Sequence, residues 1–196
     1  MTRTVNFFVV VAALTVSIGI AAQEDAQKLF EAGKYQEVVE KTAGDQSPEA
    51  QYLRGLAYRK LGQGDQAKEA FRRVQGDAAW KATAEAAIAL GDGNLDGALE
   101  QANAAVKANP ALSQAHFQRG LVLEARNENA EAADAFAKAA ETSPQTAYAH
   151  YHAGMNFYKA KRVDRMAVYF ENFLKLAPNA PERPAVESIM RTVRGR

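Results

Sequence analysis

The sequence predicts an all-α fold, an α-solenoid of stacked helix–turn–helix units closed by a C-terminal capping helix. Three observations predict it. Pro110, Pro144 and Pro178 stand 34 residues apart, and each closes a similar short phrase (105–110, 139–144 and 173–178). Of the 196 residues, 41 are alanine, the residue of highest helix propensity. Short turns rich in Gly, Asn and Asp, at 62–65, 91–94 and 126–129, interrupt apolar stretches of helical period.

The first element lies outside that pattern. Arg3 precedes an apolar stretch from Val5 to Ile20, followed by Ala21, Ala22 and a polar start, the layout of a secretory signal peptide. Gly19 and Ala21 supply the small residues for cleavage after Ala21. The apolar run is marginal for a membrane span, which prefers about 20 strongly apolar residues. An uncleaved membrane anchor over 1–22 is therefore the alternative. A lipoprotein is excluded, since no cysteine is available for acylation.

Composition excludes more. A net charge of +1 gives no basic face for nucleic acid. Without cysteine there is no disulfide framework, thiolate zinc site or cysteine nucleophile.

Reading back by the 34-residue period aligns Ala86, Gly120 and Gly154. It also aligns Ala98, Ala132 and Met166, then Ala102, Phe136 and Phe170. An earlier copy carries Gly55, Tyr58, Gly62, Ala67 and Phe71 at matching spacings, 31 residues before the next. Within it, Leu53, Leu56, Ala57 and Leu61 recur at helical spacing before the turn, and Ala67, Ala70, Phe71 and Val74 after it. The small residues at 55, 86, 120 and 154 allow close helix approach, and Phe71, Phe136 and Phe170 fill the space between units. The prolines end each second helix, because proline cannot continue the hydrogen-bond ladder.

These positions resemble the tetratricopeptide repeat, and with the leader they resemble an exported bacterial member of that family. The resemblance implies units at about 23–47, 48–78, 79–112, 113–146 and 147–180. The first is degenerate, matching at Leu29, Gly33, Tyr35 and Val38. Asn127 and Lys161 depart from the family's turn glycine and Met166 from its small alanine. Residues 181–196 are not another copy. Pro184 suits a helix start, and Val186, Ile189, Met190 and Val193 form one apolar stripe, as expected of a capping helix and tail.

The family's register places positions 2, 5, 9 and 12 of each unit on the concave groove. On that basis the partner-binding candidates are Tyr52, Leu56, Arg59, Trp80, Phe117, Leu121, Tyr148, Tyr151, Met155 and Tyr158. Amphipathic aromatics suit a binding hot spot, although packing alone also accounts for aromatic residues at these positions. Leu56, Ala87, Leu121 and Met155 stand where carboxylate-clamping members carry asparagine, so the groove favours an apolar or aromatic-bearing segment. Lys159, Lys161, Arg162 and Arg165 form a basic cluster, read as a solvated turn or as a rim contact for an acidic partner.

No catalytic constellation is present, and no sequence remains for a catalytic domain. HExxH, GxSxG and phosphate-loop motifs are absent. His116 and His150 share one repeat position and read as packing residues, while His150 and His152 do not share a helix face for a metal. The acidic Gly-rich stretch from Gly91 lacks a calcium loop's twelfth-position glutamate and reads as an inter-helix turn. The expectation is a non-catalytic adaptor or scaffold of the bacterial cell envelope, exported and periplasmic, without metal or cofactor. It would bind a protein or peptide and no nucleic acid. The alternative is a membrane-anchored structural or oligomerising subunit. Oligomeric state is left open.

Overall fold

One turn recurs five times and sets the architecture. In the computed structural model, residues 24–195 are described, and the leader lies outside them. Gly33, Gly62 and Gly93 have φ of 75°, 73° and 75°, while Asn127 and Lys161 have 62° and 60°. Each such residue donates its amide to a carbonyl three residues back, and the next residue donates to one five back. Gly62 and Gln63 bond Arg59 and Tyr58, for example, and Lys161 and Arg162 bond Tyr158 and Phe157. This left-handed cap closes a helix and reverses the chain. The two residues that replace glycine therefore keep glycine's conformation, at a steric cost of about 1–2 kcal/mol for a β-carbon in that region, least for asparagine.

The resulting helices are α1 (24–31), α2 (Tyr35–Lys41), α3 (Pro48–Lys60), α4 (Gly64–Arg72), α5 (Ala78–Gly91) and α6 (Leu95–Ala108). Then follow α7 (Ser113–Ala125), α8 (Asn129–Thr142), α9 (Ala147–Lys159), α10 (Val163–Leu176) and α11 (Arg183–Arg194). The described residues contain helices and no strand, so the fold is an all-α solenoid of repeats. Each proline of the 34-residue series stands two residues beyond a helix end. The preceding residues Asn109, Ser143 and Ala177 all leave the helical region, as a following proline ring favours, and Asn109 is extended. α2 has 7 residues and α4 has 9, against 14 in α6, α8 and α10, which makes the early units shorter.

Within a pair, a small residue of the first helix receives a ring of the second. A β-carbon at Gly120 would lie 2.7 Å from the Phe136 ring, and Gly55 and Gly154 meet Phe71 and Phe170 more closely still. In α5–α6 the same site holds Ala86 against Ala102, both fully buried. Glycine with phenylalanine and alanine with alanine thus solve one volume constraint in two ways.

α11 covers the last pair. Val186 and Met190 join the cluster of Phe170 and Phe173, with Ile189 and Val193 beside it. Burying two such side chains contributes about 1.5–3 kcal/mol each. Arg183 donates to the Leu174 carbonyl at 3.1 Å, and Arg194 pairs with Glu171 at 2.6 Å. Among the described residues, no helix is long and apolar enough to cross a membrane.

Candidate binding cleft on the concave side

The first helices of the units turn their side chains inward, and these meet across the concave side. Tyr52 on α3 donates to Gln118 Oε1 on α7 at 2.9 Å, passing over α5. The first hairpin reaches further. Phe30 stands edge-on to Tyr148 of α9 with ring centroids 5.4 Å apart, and the Tyr35 and Tyr148 hydroxyls lie 3.3 Å apart. The Tyr148 hydroxyl donates to Glu182 at 2.7 Å. Lys60 pairs with Glu182 at 3.9 Å and lies 5.3 Å over the Tyr148 ring. The solenoid thus curls until its first unit touches its fifth.

This curl divides the ten candidate groove residues. Tyr52, Leu56, Trp80 and Tyr148 are buried in the central cluster. Arg59, Phe117, Leu121, Tyr151 and Met155 are half-buried, and Tyr158, at 40% exposure, is open to solvent. Tyr148, Tyr151 and Phe173 form an aromatic run, with Tyr151 5.2 Å from Phe173. Arg59 has a buried Nη1 without a partner among the described residues. Burial lowers its guanidinium pKa, only partly opposed by Tyr52. For Tyr52, burial pushes the phenol well above its usual value.

What remains open is a cleft of about 590 Å³ where several helices begin. α1 forms one wall with Gln27, Lys28, Phe30 and Glu31, while Tyr52, Leu56, Phe117 and Tyr148 form the floor. Its polar rim includes Glu49, Gln114, Gln145 and Thr146. A cleft of this size, with an apolar floor beneath a polar wall and rim, suits a short segment of chain. Glu31, which sequence reasoning did not single out, accepts the Ala147 amide at 3.0 Å and so caps α9 from 116 residues away. Burial raises its carboxyl pKa, against the bonds from Gln27 and Ala147.

A second polar group lies between α7 and α9. Glu124 accepts from His152 Nδ1 at 3.0 Å and from Lys159 at 2.9 Å. Burial alone would raise the Glu124 carboxyl, but His152 and Lys159 overcome it and bring the pKa down to about 2. The His152 ring stacks on Phe136 at 4.8 Å. His116 and His150 instead donate Nε2–H to the Pro110 and Pro144 carbonyls at 2.8 and 3.1 Å, tying each inter-unit loop to the helix after it. Desolvation lowers the pKa of His150. In the basic cluster, Arg165 pairs with Asp134 and lies 4.2 Å over Phe157, with Arg162 at 5.3 Å from the same ring. With Lys159 on Glu124, most of that cluster is engaged within the chain. Among the described residues, no three His, Asp or Glu side chains converge as a metal site.

Comparison with known proteins places this geometry. Tetratricopeptide-repeat family models match residues 83–147, and 49–78 with 148–180. No curated protein matches the sequence significantly. Among solved structures, YrrB, described as a TPR protein with an unusual peptide-binding site, is 18% identical with a TM-score of 0.53, covering 85% of this chain and 90% of that one. MamA is 19% identical with a TM-score of 0.49, covering 74% and 85%. A MamA fragment from Desulfovibrio magneticus RS-1 is 21% identical with a TM-score of 0.49, covering 80% and 93%. The likeness to YrrB shows the fold, and the matched repeats together span about two thirds of the sequence. The chain belongs to the tetratricopeptide-repeat family.

Proposed function

We propose that the protein is an adaptor whose concave cleft takes a segment of a partner protein. The observation that carries this is the cleft of about 590 Å³, floored by Tyr52, Leu56, Phe117 and Tyr148 and rimmed by polar side chains that include Glu49, Gln114, Gln145 and Thr146. Its floor supplies apolar area, and its rim supplies hydrogen bonds that orient a backbone. Tyr151, Met155 and Tyr158 extend the contact surface beyond the cleft. The leader over 1–22 supports export to the cell envelope, where the partner would reside. The marginal length of its apolar run keeps a membrane-anchored structural subunit as the second reading.

The test is capture of partners from envelope extract by residues 23–196, beside the double variant Gln114→Arg/Gln145→Arg. Both residues line the cleft mouth and neither is buried, so the variant should keep its helical circular dichroism. Loss of a specific partner with the fold intact supports the adaptor. Equal capture by both proteins sinks it. N-terminal sequencing of the protein from cells separates the two readings of the leader: a start at Ala22 supports export, and an intact 1–22 supports the anchor.

A further inference from the structure

One wall of the cleft is itself a helix of this chain, and the contacts that seat it describe what could replace it. α1 places Phe30 and Glu31, which are 5% and 7% exposed, against the Tyr148 ring and the first amide of α9. α3 and α5 are capped by their own Ser47 and Asp77, whereas α9 begins without a side-chain cap from its own segment. Its free amides and positive dipole end favour a carboxylate, and here the carboxylate comes from across the molecule. The hold is incomplete. One side of α1 faces the cleft of about 590 Å³, so the helix is packed on only part of its circumference.

We propose that α1 is a displaceable plug, and that the partner segment is a helix bearing an adjacent aromatic–carboxylate pair that takes the places of Phe30 and Glu31. This rests on the adaptor reading above and adds the chemistry of its ligand. The partner's ring would stand on Tyr148 and its carboxylate would cap α9. Apparent affinity is then reduced by the fraction of molecules in which the plug is seated.

The probe is a fluorescent peptide of residues 24–41, with a control peptide carrying Phe30→Ala and Glu31→Gln. It is titrated into the wild-type chain, into a chain carrying Phe30→Ala/Glu31→Gln, and into Gly33→Cys/Pro181→Cys. A β-carbon at Gly33 would lie 3.1 Å from Pro181 Cγ, and the chain has no other cysteine, so a disulfide between the two, verified by loss of free thiol on oxidation, ties down the end of α1 despite the cost of a side chain at φ of 75°. The peptide should bind the Phe30/Glu31 variant at least about tenfold tighter than wild type. It should not bind the oxidised locked chain, and reduction should restore binding. The locked chain keeps the test valid if the other variant does not fold. Equal binding to locked and reduced chains, equal binding of the control peptide, or no binding to any form would overturn the proposal. So would dimerisation of the wild-type chain that consumes the site, which would assign it to a second copy. Capture lost in Gln114→Arg/Gln145→Arg without any peptide binding would leave the adaptor standing and remove only the plug.

Discussion

The α5–α6 and α9–α10 pairs share one frame and carry opposite contents. Where α5 presents Thr83, Ala87 and Leu90 to the concave side, α9 presents Tyr151, Met155 and Tyr158. Where α5–α6 meets through Ala86 and Ala102, α9–α10 meets through Gly154 and Phe170. The alanine pair has close helices and few side chains able to reach a ligand. The aromatic pair holds Tyr148, Tyr151 and Phe173 in mutual contact and receives the plug. Spacing and recognition are therefore separate properties of the repeat. The turns and small residues set the first, and the inward positions of the first helix set the second.

The largest test of this contrast removes the ring that α9–α10 depends on. Phe170→Ala should cost about 3–5 kcal/mol in urea unfolding, whereas Ala102→Gly at the matching site should cost only about 1. A similar loss at both sites would mean that the two interfaces are not alternative solutions to one volume. Next, Gly154→Ala drives a β-carbon onto Phe170 and should cost about 1–3 kcal/mol, while Ala86→Gly should cost about 0.5–1.

The pH dependence sharpens the contrast, since α9 has an ionic tie that α5 lacks. Glu124 is depressed from 4.5 to about 2 in the folded protein. Its contribution is fully present above pH 4.5 and is lost as pH falls from there towards 2. The full depression would correspond to about 3 kcal/mol, and solvent screening of this partly exposed carboxylate brings the expected amount to about 2 kcal/mol. Glu124→Gln should flatten that part of the stability–pH profile, and an unchanged profile would show that the tie with His152 and Lys159 contributes nothing. The smallest effect concerns the turn. Lys161→Gly, relieving φ of 60°, should stabilise by up to about 1 kcal/mol, whereas Gly93 already has the favoured residue.

Much of this architecture was legible in local spacing. The prolines at 110, 144 and 178 mark helix ends because the ring disfavours the helical conformation at the preceding residue, whatever surrounds it. Gly120 reads as a close-approach site and Phe136 as a filler between units, but the structure sets the Phe136 ring against Gly120 within one unit, because the missing side chain leaves room there. Asn127 and Lys161 read as departures from the turn, yet they adopt the same left-handed cap. The two hydrogen bonds of that cap and the packing of the following helix outweigh a local steric cost. The groove aromatics were legible as a set but not as individuals. Tyr52 and Tyr158 occupy inward positions alike, and only the curl buries one and leaves the other open.

The sequence by itself determined the period, the helix ends, the close-approach sites and the apolar stripe of α11, because each depends on residues within one unit or its neighbour. Only the tertiary structure decided that Glu31 meets Ala147, that Tyr35 meets Tyr148, and that a cleft remains beside α1. Those contacts depend on small rotations summed over successive helix pairs. No local pattern encodes such a sum, so the plug becomes visible only when the first unit is seen against the fifth.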